Sequence, residues 1–139
     1  MKQILLLALS LMVYSCVSAQ TGVEGRWKTF DEETGKMKSI VEISIKNGKL
    51  YGKVVELAPG ADANKVCTEC TDHRKDAKVL GMQIITGLEK SGNMWVGDNG
   101  ILDPANGKLY DVKLWLEDGK LQVRGYIAFL YRTQIWVRA

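Results

Sequence analysis

One stretch near the start of the chain indicates how it folds: Ser39-Ile40-Val41-Glu42-Ile43-Ser44-Ile45-Lys46-Asn47-Gly48. Apolar side chains at positions 41, 43 and 45 alternate with polar ones at 42, 44 and 46, the period-two pattern of a half-buried β-strand. Asn-Gly between two such runs is the strongest short hairpin signal, because both residues tolerate positive φ. The stretch therefore predicts a strand, a tight turn and a partner strand over about Lys49–Leu57.

The rest of the chain repeats this unit. Turn signals such as Asp103-Pro104-Ala105-Asn106-Gly107 separate further runs of β-forming residues, and no amphipathic helix lies between them. We count eight predicted strands, the others being at about 25–30, 82–88, 94–96, 110–116, 121–124 and 132–138. Closely spaced strands of this kind favour an all-β, eight-stranded antiparallel meander barrel, whose closure removes exposed sheet edges. A polar stretch at about 58–78 interrupts the meander as one long loop.

The first residues read as a secretory leader rather than as part of the fold. Met1 and Lys2 precede an apolar run over 4–13, and Val17-Ser18-Ala19 provides tolerated residues at the −3 and −1 positions of a signal-peptidase cleavage site. We therefore expect residues 1–19 to be a signal peptide and residues 20–139 to form one β-barrel domain in the periplasm or outside the cell. Cys16 offers an alternative, in which the chain is lipid-anchored through that cysteine.

Charge and hydropathy argue against nucleic-acid binding and against a membrane-spanning helix. The chain has a formal net charge of +3, and its charges are interspersed rather than gathered on the basic face typical of nucleic-acid binders. After the leader, no apolar stretch is long enough to cross a membrane as a helix. We expect no nucleic-acid partner and no transmembrane segment in the mature chain.

The order of several motifs resembles a known family. The motifs are Gly25-Arg26-Trp27, Gly81-Met82-Gln83-Ile84-Ile85, the segment 103–110, the segment 121–126 and Thr133-Gln134-Ile135-Trp136-Val137-Arg138. Together they resemble the small exported bacterial proteins of domain-of-unknown-function family 2147. That resemblance implies a leader and a lipocalin-like barrel, and it implies no activity or catalytic residue. The Gly-x-Trp start also resembles lipocalins, in which an arginine of the last strand packs over the tryptophan; Arg132 and Arg138 are the candidates.

Cys67 and Cys70 are the sharpest local feature of the long loop. In an exported protein we expect them to form a disulfide. An alternative adds His73 as a third ligand for zinc or copper, although structural zinc requires four ligands. A redox role is disfavoured, since neighbouring acids raise a thiol pKa.

The last strand carries the candidate ligand-binding residues. Arg132, Gln134, Trp136 and Arg138 share one face, and Ile135 and Val137 share the other. If the first face points inward, buried positive groups need partners that an anionic or amphipathic ligand supplies. If it points outward, Ile135 and Val137 fill the interior. In a third arrangement, Trp27 and one arginine cap the closed end of the barrel.

No catalytic constellation is present in the sequence. The serines after the leader lie in no Gly-x-Ser-x-Gly elbow, and His73 is the only imidazole. We therefore expect a non-catalytic protein without a cofactor. Its function is then to bind a small apolar or amphipathic ligand through Trp27, Arg132, Trp136 and Arg138 in a cavity open at one end. The alternatives are an envelope protein-interaction module with a filled barrel and a metal-handling protein using the Cys67/Cys70/His73 loop.

Overall fold

The computed structural model describes residues 22–139. The predicted signal peptide at residues 1–19 and the candidate lipidation site Cys16 lie outside the described residues. Within 22–139, no helix is long and apolar enough to span a membrane.

Eight antiparallel strands, each hydrogen-bonded to the next, form a closed barrel. Strand β8 returns to pair with β1, so the predicted meander barrel is confirmed. The strands are β1 (Gly25–Phe30), β2 (Met37–Lys46), β3 (Lys49–Leu57), β4 (Gln83–Ser91), β5 (Met94–Asp103), β6 (Lys108–Glu117), β7 (Lys120–Ile127) and β8 (Leu130–Arg138).

The β2–β3 hairpin forms where the sequence predicts it. Lys46 pairs with Lys49 across the turn, and Asn47 has a φ of 51°. On β6, side chains alternate in the same way, since Val112 and Leu114 are buried while Lys113 between them is exposed. The period-two pattern was therefore sufficient to orient strands with one polar face.

The interior is packed with apolar side chains. Leu88 shows how closely they fit: a Cβ added at Gly100 would lie 2.5 Å from Leu88 Cδ2 and 2.9 Å from Val112 Cγ1. Side chains of this density leave little room for a ligand in the middle of the barrel. The core is built from Trp27, Val41, Ile43, Leu50, Val54, Ile85, Leu88, Trp95, Val112, Leu114, Leu121, Val123 and Trp136.

The two ends of the barrel differ. At one end, which we call the plug end, the segment Gly22–Glu24 precedes β1 and Val23 joins the hydrophobic core. The other end, the loop end, carries the β1–β2 turn, the long β3–β4 loop, the β5–β6 turn and the β7–β8 turn.

The long loop, over residues 58–82, is held against the barrel. Cys67 and Cys70 form a disulfide and are almost fully buried, as is Val79, and all three belong to the core cluster. A Cβ at Gly107, in the β5–β6 turn, would lie 1.9 Å from the carbonyl oxygen of Glu69, so the loop backbone touches that turn directly. The loop is therefore an ordered cover rather than a flexible insertion.

Candidate functional site

Strands β1 and β8 pair over only a short length, which leaves an opening in the barrel wall. The two strands pair only at Trp27 with Arg138 and at Lys28 with Val137. Toward the loop end they separate, and a cavity of about 330 Å³ lies between them. We call this cavity the seam; its lining residues are Phe30, Asp31, Glu32, Arg132, Thr133, Gln134 and Ile135.

One carboxylate bridges the seam. Arg132 Nη1 donates to Glu32 Oε2 at 2.6 Å, and Gln134 Nε2 donates to Glu32 Oε1 at 3.0 Å. Both oxygens of the carboxylate are thus held by donors on β8. The arginine side chain is 79% exposed and the glutamate side chain 34% exposed, so solvent and solutes can reach this ion pair.

The amide of Gln134 is oriented from below by a tryptophan. Trp136 is buried, and its indole Nε1 donates to Gln134 Oε1 at 3.1 Å. Because an indole nitrogen only donates, the amide oxygen must face it and the amide nitrogen must face the seam. Gln134 is therefore fixed as a hydrogen-bond donor toward whatever acceptor lies beside Arg132.

On the outer side of the sheet, the seam is lined by two apolar side chains and by Thr133. Phe30 ends β1, and Ile135 on β8 is 50% exposed. Thr29 and Ser39 lie on the inner side, where their buried hydroxyl oxygens are 2.7 Å apart and satisfy each other. The site thus presents a cation and an amide donor next to apolar surface, a combination that suits an amphipathic acid.

A second, wider cavity of about 520 Å³ lies on the barrel flank, where the β4–β5 and β5–β6 ladders are interrupted. Two of its three carboxylates have partners in the protein. Asp111 Oδ1 accepts the backbone N–H of Asn99 at 2.8 Å, and Glu89 lies 3.5 Å from Lys49. We therefore place the candidate site at the seam.

Of the four predicted ligand-binding residues, the structure places only Arg132 in the cavity lining. Trp136 does not line the cavity, but it hydrogen-bonds to Gln134, which does. Trp27 is fully buried in the core, and its Nε1 donates to the carbonyl oxygen of Val23 at 2.9 Å. Arg138 lies 4.2 Å from the centre of the Trp27 ring and donates to the carbonyl oxygens of Glu24 and Gly22.

These contacts decide between the three arrangements of the last strand. Leu121 pairs with Trp136 and Val123 with Gln134, so the even-numbered residues of β8 face inward with the buried face of β7. The arrangement with Ile135 and Val137 filling the interior is wrong. The face with the arginines and Trp136 is therefore the inner one. It leaves no unpaired positive charge inside the barrel, because Arg138 caps the plug end and Arg132 extends to the loop end. The capped arrangement is confirmed, with Arg138 as the arginine.

The long-loop cysteines do not supply metal ligands in this structure. A ligating cysteine is a thiolate, whereas Cys67 and Cys70 are bonded to each other. His73 is exposed. Among residues 22–139, no group of three His, Cys, Asp or Glu side chains is arranged to hold a metal ion.

Nearby, Arg74 fastens the loop to the sheet. Its Nη1 donates to the carbonyl oxygen of Gln83 at 3.0 Å, and its guanidinium hydrogen-bonds Asp72. Those side-chain hydrogen bonds, followed by the backbone N–H of Arg74, lower the pKa of Asp72 from 3.8 to about 2.

Sequence reasoning missed Glu32, Phe30 and the role of Gln134. Glu32 lies in a polar turn that resembles any other exposed turn, and it is 100 residues from Arg132. Gln134 was placed on the same face as Arg132 and Trp136 but had no predicted partner. Only the closure of the barrel brings these residues together.

Comparisons with known proteins agree with this fold. Residues 25–138 match the family described as "Uncharacterized protein conserved in bacteria (DUF2147)". The chain is similar to the solved structure described as "Protein HP1028 from the human pathogen Helicobacter pylori belongs to the lipocalin family", with 21% identity and a TM-score of 0.72. The match covers 85% of this chain and 83% of that chain. A search of curated proteins gives no significant match.

Proposed function

Because the chain belongs to the DUF2147 family and folds as a lipocalin-like barrel, we propose that it is a non-catalytic protein that binds a small amphipathic acid at the seam. In this proposal, Arg132 and Gln134 bind the acidic headgroup. The apolar part of the ligand lies against Phe30 and Ile135.

The observation that carries the proposal is the position of the Glu32 carboxylate. Its two oxygens accept hydrogen bonds from two donors of β8 at the same time, one from Arg132 and one from Gln134. A ligand carboxylate that takes its place makes the same two hydrogen bonds. Charge-assisted hydrogen bonds of this kind are roughly twice as strong as neutral ones. Glu32 then acts as a tethered competitor that the ligand displaces.

The size of the seam limits the ligand. A volume of about 330 Å³ lies at the lower end of the range for small-molecule sites, which is roughly 300–1,000 Å³. The packed core below leaves the ligand no path toward the plug end. We therefore propose a short-chain or partly protruding amphipathic acid rather than a large molecule enclosed by the barrel.

We further propose that the protein works outside the cytoplasm. The disulfide between Cys67 and Cys70 supports this, because such bonds persist mainly in oxidising compartments. The leader-like sequence of residues 1–19 supports it independently.

Titration with the fluorescent fatty acid dansylaminoundecanoic acid tests the proposal. The R132Q variant is expected to bind the probe about two- to fivefold more weakly, since it loses the exposed cation that pairs with the ligand carboxylate. The E32Q variant is expected to bind about two- to fivefold more tightly, because an exposed ion pair contributes ~0.2–1 kcal/mol and this variant removes the competitor's charge.

The matched control is the ion pair of Arg26 and Glu42, 3.6 Å apart on β1 and β2. R26Q and E42Q remove the same charges away from the seam and are expected to leave probe affinity unchanged. Equal affinity in all four variants, or weaker binding by E32Q, contradicts the proposal.

A further inference from the structure

The tip of the β7–β8 hairpin exposes the most prominent apolar surface among the described residues. Ile127 and Leu130 flank a two-residue turn, and Ala128 in that turn has a φ of 52°. Phe129 is 87% exposed, Leu130 66%, Tyr131 61% and Ile127 52%. We call these four residues the tip. Clustered apolar exposure of this kind marks an interaction surface.

Phenol rings and cations follow the turn in order along the sheet. Tyr126 and Tyr131 form a ring pair with centroids 5.7 Å apart. Lys113 lies over the Tyr126 ring at 5.4 Å, and the Arg124 guanidinium lies 4.4 Å from Tyr131 and 5.0 Å from Trp115. The order from the turn inward is therefore aliphatic and phenyl groups, then phenols, then positive charge.

The charge of this hairpin differs from that of the rest of the chain. Residues 120–139 contain Lys120, Arg124, Arg132 and Arg138 and no acid, whereas all 16 acids of the chain lie between Glu24 and Asp118. Near the tip, Arg132 is paired with Glu32, while Arg124 Nε donates its described hydrogen bond to the neutral hydroxyl oxygen of Thr133. The outer surface behind the tip thus carries the cations Arg124 and Lys113, with the acid Asp111 of β6 opposite Tyr126.

We propose that the tip inserts into the surface of an anionic lipid bilayer. The order of side chains matches the depth profile of a bilayer leaflet, in which hydrocarbon lies deepest, aromatic rings favour the interface and cations meet anionic headgroups. A convex tip of four side chains is too small to supply the ~800 Å² per partner that a stable protein interface buries. The insertion would hold the loop end, and the adjacent seam, against the membrane.

Sedimentation with lipid vesicles tests this proposal without any ligand in the seam. All variants are produced with their natural N-terminal residues, so any contribution of residues 1–21 is common to them. The protein is expected to sediment with vesicles containing phosphatidylglycerol and only weakly with phosphatidylcholine alone. The double variant F129S/L130S is expected to partition at least about tenfold less, because two large apolar side chains are lost from the hydrocarbon.

Two further variants separate the contributions. K113Q/R124Q is expected to reduce binding to phosphatidylglycerol vesicles severalfold and to leave binding to phosphatidylcholine unchanged. L80S/L109S replaces two leucines that are each 38% exposed outside the tip, and it is expected to bind vesicles like the unmodified protein. Circular dichroism of each variant checks that the barrel is intact.

The proposal is overturned if F129S/L130S sediments with vesicles as well as the unmodified protein does. It is equally overturned if the unmodified protein binds no vesicles, or if the tip variant instead converts a dimer to a monomer in lipid-free analytical ultracentrifugation. That last result would assign the tip to a second copy of the chain. Probe binding at the seam is unaffected by any of these outcomes, so the two proposals fail separately.

Discussion

The buried indole of Trp136 donates to the amide oxygen of Gln134 at 3.1 Å and so turns the amide nitrogen toward Glu32. A residue of the hydrophobic core thereby sets which group the seam presents to solvent. The relation also joins two residues of the same strand face, since positions 134 and 136 point to the same side of β8.

Removing the indole N–H is expected to weaken ligand binding through Gln134. In W136F, nothing prevents the amide of Gln134 from rotating its oxygen toward the seam, where it repels a carboxylate. We expect affinity for dansylaminoundecanoic acid to fall severalfold, with a loss of stability of about 1–3 kcal/mol from the unpaired amide oxygen. The control W95F changes another buried tryptophan, and it is expected to alter stability but not affinity. Unchanged affinity in W136F would show that Trp136 does not position the amide of Gln134 for binding.

The packing of the long loop against the β5–β6 turn is expected to require a glycine at position 107. G107A places a Cβ 1.9 Å from the carbonyl oxygen of Glu69, whereas G119A introduces the same strain from positive φ with no atom within 4 Å. The φ values are 71° and 72°, so the difference between the two variants isolates the contact with the loop. We expect G107A to lower the free energy of unfolding by at least about 2 kcal/mol more than G119A. Equal losses in urea denaturation would mean that the loop moves aside without cost.

Arg138 is expected to stabilise the folded barrel by capping its plug end. R138Q removes the cation over Trp27 and the hydrogen bond from Nη1 to the carbonyl oxygen of Glu24. The expected loss is about 1–3 kcal/mol in the free energy of unfolding. R26Q removes an exposed arginine of β1 and serves as the control, with an expected loss below ~1 kcal/mol. If R138Q unfolded at the same denaturant concentration as R26Q, the cap would contribute nothing.

The ion pair of Asp72 and Arg74 is expected to give the loop a defined pH dependence. The folded pKa of Asp72 is lowered to about 2 from 3.8, mainly by the side-chain hydrogen bonds from Arg74. The unfolded chain therefore binds more protons between these values, and the stabilisation is complete above about 3.8 and disappears as the pH falls toward 2. We expect D72N to be less stable than the unmodified protein at neutral pH and to approach it near pH 2. A difference in denaturation midpoint that stays constant over this range would contradict the assignment.

The fold was predictable because its determinants are local. Val41, Ile43 and Ile45 alternate with polar residues, and Asn47 marks the turn, so neighbouring residues define both strand and hairpin. The last strand was ambiguous because both of its faces carry large apolar side chains, Trp136 on one and Ile135 on the other. Only its register with β7 decides which face is buried.

The site was less predictable because it arises at the closure of the barrel. Glu32 and Arg132 meet only when the first and last strands approach each other, and no local pattern records how far β1 and β8 remain paired. The contact of Arg138 with Trp27 was anticipated through the resemblance to lipocalins, which carries information about distant pairs that periodicity lacks. That resemblance did not distinguish Arg138 from Arg132.

A crystal structure of the protein with a medium-chain fatty acid tests the central claim most directly. We predict that the fatty-acid carboxylate lies within hydrogen-bonding distance of Arg132 Nη1 and Gln134 Nε2, that the Glu32 side chain has left them, and that the alkyl chain contacts Phe30 and Ile135. A fatty acid bound elsewhere on the barrel, with Glu32 still bridging Arg132 and Gln134, would contradict the account.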